Sequence, residues 1–482
     1  MKRREVIERL GWGLTGSMMM PSLISACSPK DPGPEVAYSG TVAVIGAGAA
    51  GLYVADILRS KGIKVTIFEA RDQLGGRVRS LRNQSVDQYP RLQEMSSDFP
   101  VELGAQTIVG SDSIMGKVYT AYGLVTLDNT TLPNNYVIDN LSKSETDWAG
   151  DADFVAARNF TTNLRSFSNN TGTVQQAITA SGINPRVNGM LNALVGNRRG
   201  ATNEQGGVGE WAQEAALIQN DGKVLVLKAN PLHDVLISRF SNVQSLVNIN
   251  TPIVSINYSA DPIVLTAKDG STYQANKVIV TVPISQLKSN AIAFTPGLPG
   301  GITGSLAKLD MGASYRAVIE FKKNFWGDTI GYILGSGDVP EYFSMGIGRS
   351  QFNATLSVTV NGSKASKFAA MKNDDAILAI LADLDVLYAG QATKYVRQVL
   401  NTTTNIYVVE DWSKISYIGG GYSYPLPGAT NTDRKNIGAP VNNVLFFAGE
   451  ATDVSGQAGT INGALASAER CAQEVITSIT KA

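Results

Sequence analysis

The chemistry-bearing text begins at Gly46-Ala47-Gly48-Ala49-Ala50-Gly51, with Glu69 lying 18 residues past Gly51. Glycines at these three positions can make a tight turn, admit a pyrophosphate against the backbone and let a helix close on a strand. A carboxylate at that distance can bond ribose hydroxyls. The pattern therefore points to a dinucleotide. Other chemistries are poorly supplied. The chain has one histidine, His233, and two cysteines, Cys27 and Cys471. No His-rich or Cys-rich metal site can be built from them and no metal residues are assigned, although an all-carboxylate site stays open. A Ser/His/Asp hydrolase would have to use His233, which has no nucleophile elbow near it. The redox or group-transfer chemistry is expected to belong to a cofactor.

Those residues need a strand, a turn, a helix and a second strand to position them. Thr41-Val42-Ala43-Val44-Ile45 is a short apolar, β-branched run of the kind buried in parallel sheets. A helix is expected from Ala49 to about Lys61, ended by Gly62, and Lys64–Phe68 is the second strand, with Glu69 at its end. The chain has 482 residues, of which 43% are hydrophobic, enough for a large core in two or three domains. Lys plus Arg and Asp plus Glu are both 41, so the net charge is zero. That balance argues against a nucleic-acid binder reliant on a basic field.

The text after Glu69 reads Ala70-Arg71-Asp72-Gln73-Leu74-Gly75-Gly76-Arg77. This run resembles the flavin-containing amine oxidase superfamily, which includes monoamine, polyamine and L-amino acid oxidases. In that family a second glycine pair and an arginine close over the FAD pyrophosphate. The similarity recurs at Glu102-Leu103-Gly104-Ala105, at Thr251–Ile256, at Lys277–Pro283, at Phe325-Trp326, between Trp412 and Tyr422, and at Val444–Thr452. It covers roughly residues 38–482 and is weakest over 113–228. The resemblance implies noncovalent FAD, held by Gly46, Gly48, Ala50 and Gly51, by Glu69, Ala70 and Arg71, and by Gly76 and Arg77. Further contacts are implied for Gly104, Ala105, Gln106, Val254 and Pro283, and near the C-terminus for Gly449, Glu450, Thr460 and Ile461. Glu450 would bond the ribityl chain. The helix opened by Gly459–Ala464 would aim its N-terminus at the flavin edge that gains charge on reduction.

The implied fold is α/β: a discontinuous Rossmann-like FAD-binding domain with an interleaved α+β substrate domain. Its blocks would be 38–112, 229–292 and 405–482 for FAD, and 113–228 and 293–404 for substrate. Residues 311–321 alternate as half-buried strands do, and Asp375–Leu387 has helical spacing.

The implied reaction is oxidation of a neutral amine by hydride transfer to flavin N5, followed by imine hydrolysis. Electrons would pass to O2, giving hydrogen peroxide, or to another, exported acceptor. Tyr422, Trp412, Thr460 and Arg316 are the implied catalytic residues. Four departures from the family bear on this. The slot for a flavin-linking cysteine is Gly421. The second cage tyrosine is Thr460. The lysine that holds a water at N5 is Arg316, which stays charged and cannot act as a base. The arginine that holds an amino-acid carboxylate is replaced by Gln106-Thr107. An L-amino acid oxidase using Arg198, Arg199 or Arg316, and a desaturase or protoporphyrinogen-type oxidase, are the alternative readings.

The N-terminus reads as an export signal. Lys2-Arg3-Arg4 precedes an apolar stretch from Leu10 to Leu23, 14 residues interrupted by three glycines and a proline. A spanning helix needs about 20 apolar residues, so a cleaved signal fits better. Arg3-Arg4 resembles a twin-arginine signal, and Leu23–Cys27 a bacterial lipobox. The expectation is a periplasmic or membrane-anchored lipoprotein, with residues 1–37 outside the fold and a lipid anchor at Cys27.

Overall fold

The computed structural model describes residues 35–81, 88–96, 99–350 and 354–481. The expected export signal and Cys27 lie outside the described residues. Among those described, no helix is long and apolar enough to cross a membrane.

Thr41–Ile45 is the centre of a five-stranded parallel sheet, flanked by Lys64–Phe68 and then Val247–Asn248 on one side. Lys277–Val280 and then Leu445–Phe447 lie on the other. Its strands are apolar on both faces because both faces are covered. Val42, Val44, Ile279 and Phe446 point into one core, with Leu52 and Leu58 of the helix Ala49–Ser60 and Leu465, Ala468, Ala472 and Val475 of the final helix, Ile461–Thr480. Ala43, Ile45, Val278, Val280 and Phe447 point the other way. There they meet a four-stranded sheet of Ile253–Asn257, Ile263–Ala267, Thr272–Ala275 and Ala293–Thr295. The arrangement is a three-layered α/β unit drawn from three separated stretches of chain.

A seven-stranded sheet forms the second body. Its order is Tyr407–Asp411, Ser314–Glu320, Thr355–Asn361, Glu341–Ser344, Tyr332–Leu334, Asn134–Ile138 and Leu141–Ser144. Tyr407–Asp411 falls inside the block 405–482 but pairs with Ser314–Glu320 in this sheet. Ser314–Glu320 also departs from the half-buried expectation: all seven residues are buried. Tyr315, Ala317 and Ile319 pack toward the helix Asn373–Tyr388. The opposite, more polar face, with Ser314 and Arg316, looks into the cleft between the two bodies. A helical layer, including Asn188–Leu194 and Val208–Leu217, packs around the fully buried Trp211.

Candidate active site

One long cleft runs from the glycine turn to the seven-stranded sheet. At the nucleotide end, Gly46 has φ +108°, a conformation glycine reaches readily. The Thr281 hydroxyl pins this turn, donating to Ile45 O at 2.9 Å and Gly46 O at 3.1 Å. No sequence signal marked Thr281. Gly48 is the N-cap of the helix Ala49–Ser60 and supplies no side-chain cap. A Cβ added to Gly48 would meet nothing within 4 Å. The first turn therefore offers uncapped N–H groups beside open space, which suits a phosphate. Glu69 is buried; its carboxylate accepts from Ala47 N at 2.7 Å and Arg71 N at 3.0 Å. Burial pushes its pKa up, and those hydrogen bonds and the Arg71 charge pull it back. Ala50, Ala70, Arg71 and Gly76 line the same end. Val254 lies at a register shift between Ile253 and Ser255 and lines the cleft.

Arg77 was expected to grip phosphate oxygens with its fork. In the structure Nη1 is committed to protein, donating to Gly421 O at 2.7 Å and Glu450 at 2.8 Å. Glu450 is also engaged by protein. Its oxygens accept from Arg77, from Ser423 N at 3.3 Å and Oγ at 2.6 Å, and from Gly459 N at 3.0 Å. These four bonds fill the carboxylate's lone-pair directions. Glu450 thus ties three chain segments together while lining the cleft, where the resemblance implied a bond to the ribityl chain. Burial raises its pKa, but Arg77, Ser423 and Arg434 outweigh that and hold it below the usual carboxylate range.

At the far end Trp412 is buried, and its indole N–H donates to Leu103 O at 2.8 Å. Tyr422 is half-buried. Its Cβ lies where a side chain on Gly200 or Gly459 would sit, at 2.9 and 3.4 Å from their ideal Cβ positions. Gly104, Ala105, Pro283, Arg316, Gly449, Thr460 and Ile461 complete this wall. Thr460 stands at the position expected for the second cage residue and lines the cleft. Its hydroxyl caps the final helix, accepting from Gly463 N at 3.0 Å and donating to Gln457 O at 2.7 Å. Gly51 packs the helix and does not line the cleft. Gln106, expected at the cofactor, follows the lining residues Gly104 and Ala105 but is not itself among them, and its Oε1 is buried without a partner. Phe325 and Trp326 pack edge-to-face in the core behind the large sheet.

Behind Glu450 lies a buried ionic cluster that sequence reading missed. Arg434 donates through Nε to Glu210 at 2.5 Å and lies 3.1 Å from Glu214. Its Nη1 donates to Ser423 Oγ at 2.8 Å. Burial, with the Glu210 charge adding to it, pushes the Glu214 carboxyl up to about 8. An unfolded glutamate titrates near 4.3, so the folded state holds a proton that the unfolded state releases. Stability from Glu214 is therefore full below about pH 4.3 and declines as pH rises toward 8, where the folded carboxyl ionises. Glu214→Gln should flatten the fall in denaturation midpoint between pH 5 and about 8. An unaltered slope would count against a protonated Glu214.

The sequence profile of the family described as "Flavin containing amine oxidoreductase" matches residues 49–476. Polyamine oxidase 4 of Oryza sativa subsp. japonica is 24% identical over 497 residues, covering 96% of this chain and 93% of the relative. Human lysine-specific histone demethylase 2 is 24% identical over 438 residues, covering 87% of this chain and 51% of the relative. The chain thus spans about half the length of that demethylase. Among solved structures, cyclohexylamine oxidase from Brevibacterium oxydans superposes with a TM-score of 0.74 at 18% identity, covering 92% of this chain and 99% of that one. A putrescine oxidase bound to putrescine also gives 0.74 at 18% identity, covering 91% and 99%. At these identities the structural likeness speaks to the fold.

Proposed function

Because the chain belongs to the flavin-containing amine oxidoreductase family, we propose that it oxidises a small amine in the cleft between its two bodies, with FAD held noncovalently. The single observation that carries this reading is the continuity of the cleft, from the uncapped turn at Gly48 to Trp412, Tyr422 and Arg316. The residues suit FAD. The N–H groups of the first turn after Gly48 would hold the pyrophosphate, Glu69 a ribose, and the backbone of Val254 the adenine. The N-terminus of the final helix, around Ile461, would face the pyrimidine edge of the ring. When bound, FAD supplies a two-electron acceptor for the hydrogen on the amine-bearing carbon.

The protein's own part is positioning and electrostatics. Tyr422 and Trp412 give an aromatic wall that orients the substrate and displaces water. Arg316 places a fixed positive charge in the cleft. That charge disfavours an ammonium ion and favours the neutral amine, the form whose lone pair assists loss of hydride. Among the described residues, none that lines the cleft is a cysteine. Cys471 is buried in the core on the final helix, where burial raises its thiol to about 12.

Acid precipitation of the yellow holoprotein should release all of its FAD, and flavin remaining with the precipitate would overturn the noncovalent assignment. Anaerobic mixing with a panel of amines should bleach the visible flavin band. Readmitting air, or adding a one-electron acceptor, then distinguishes O2 from another oxidant. Failure of every amine-bearing compound to bleach the band would refute amine oxidation.

A further inference from the structure

We propose that Arg316 is the receptor for a carboxylate on the substrate, so that the amine oxidised here is the α-amino group of an amino acid. The inference rests on the amine-oxidising reading above and narrows its substrate class.

Arg316 is 5% exposed and lines the cleft with Trp412 and Tyr422. Among the described residues no hydrogen bond or ion pair reaches its guanidinium, and Nη1 is covered without a partner. Arginine does not deprotonate in proteins. A buried charge is ordinarily paired, since removing it from water is costly. The nearby anions are engaged elsewhere. Antiparallel register sets Arg316 between Glu410 on one strand and Thr359 on the other. Glu410 lies 3.2 Å from Arg79 and accepts from the Tyr89 hydroxyl at 2.5 Å. Burial pushes the Glu410 carboxyl up while Arg79, Tyr89 and Arg71 pull it back. One carboxylate is therefore shared among several cations. Glu341, opposite Thr359 on the next strand, pairs with Arg198 at 3.5 Å.

The neighbouring hydroxyls point the same way. Thr359 Oγ1 and Ser357 Oγ, on the strand beside Arg316, are both buried without a partner. A lone cation beside an unused hydroxyl donor is a carboxylate site lacking its carboxylate, and a planar guanidinium matches a planar carboxylate through two parallel hydrogen bonds. The cleft admits such a ligand at the end that carries the aromatic wall. In an α-amino acid the carboxylate is bonded to the carbon that bears the amine. Anchoring it therefore fixes the reacting carbon one bond away. The reaction then balances as follows: the Cα–H bond breaks with its electron pair going to FAD, nitrogen loses a proton, and water converts the imine into a 2-oxo acid and ammonia.

The test uses holoprotein of wild type, Arg316→Gln and Arg316→Lys, each checked for FAD content and folding. Matched pairs are compared anaerobically: leucine with 3-methylbutan-1-amine, phenylalanine with 2-phenylethylamine, lysine with pentane-1,5-diamine, using both hands of each amino acid. At least one amino acid should bleach the flavin roughly 100-fold faster than its amine at subsaturating concentration. Arg316→Gln should raise its half-saturating concentration by roughly 100-fold, with Arg316→Lys falling between. Independently of turnover, 4-methylpentanoate or 3-phenylpropanoate should raise the melting temperature of wild type and leave Arg316→Gln unmoved; if that variant does not fold, Arg316→Lys should give a diminished shift. Amines that bleach while amino acids do not would overturn the carboxylate site and leave amine oxidation standing. Carboxylates that shift no protein, or shift wild type and variants alike, would also overturn it, whatever the turnover.

Discussion

Gly51→Ala is expected to yield protein that retains no FAD and melts well below wild type. A Cβ on Gly51 would lie 1.9 Å from the carbonyl oxygen of Gly46 and 2.9 Å from Thr281 Oγ1. Overpacking costs about 1–3 kcal/mol where side chains can yield, but the nearest neighbour here is backbone of the phosphate turn. The helix Ala49–Ser60 would have to lift from the sheet, and the turn would lose the shape set by Gly46 and Thr281. Gly48→Ala separates binding from folding. Gly48 has φ −75°, which any residue adopts, and its Cβ would project into open space. That variant should keep the melting temperature of the apoprotein and lose affinity for FAD, because the added methyl takes the place of the phosphate. Equal FAD affinity in wild type and both variants would remove the glycine turn as the phosphate site.

Arg434→Met is the second large effect. Arg434 is 0% exposed and serves Glu210, Glu214 and Ser423, and through Ser423 it braces Glu450. Removing one partner from a buried ionic group typically costs about 3–5 kcal/mol. Protonation of Glu214 relieves part of the strain, but Glu210 would lose its charged partner. Arg434→Lys should not rescue, since an ammonium cannot reach Glu210 and Ser423 with a planar fork. The expected result is a large drop in the denaturant midpoint of both variants, with FAD released at lower denaturant as Glu450 loosens. A midpoint unchanged in Arg434→Met would refute a stabilising role for the cluster.

The residues legible in sequence share a local signature. The glycine turn, its two strands and Glu69 are close in sequence, so their spacing dictates their geometry. Leu465, Ala468, Ala472, Val475 and Ile479 recur at steps of three and four, which marks the final helix in the sequence, and its N-cap lies at Thr460, beside the glycines that mark its start. Arg77 and Glu450 depend on distant partners. Arg77 bonds Gly421 and Glu450, 344 and 373 residues away. Those bonds engage Arg77 Nη1 and Glu450 with protein partners that no local motif specifies, while both residues still line the cleft. Ser314–Glu320 reads as half-buried because its polar residues alternate with apolar ones, yet residues 89–96 and 99–103 pack on the face that carries Val318 and Glu320, and Arg316 is buried at the cleft.

The order of amino acids by itself determined that a strand, a glycine turn and a helix, with Glu69 at the end of the next strand, and a C-terminal helix would form, because each is set by residues within one or two turns of chain. Only the tertiary structure decided which charges neutralise one another. Among the described residues it left Arg316 without a counter-ion in the cleft and gave Glu450 a full set of partners, because such pairing depends on which strands the fold lays side by side across hundreds of residues.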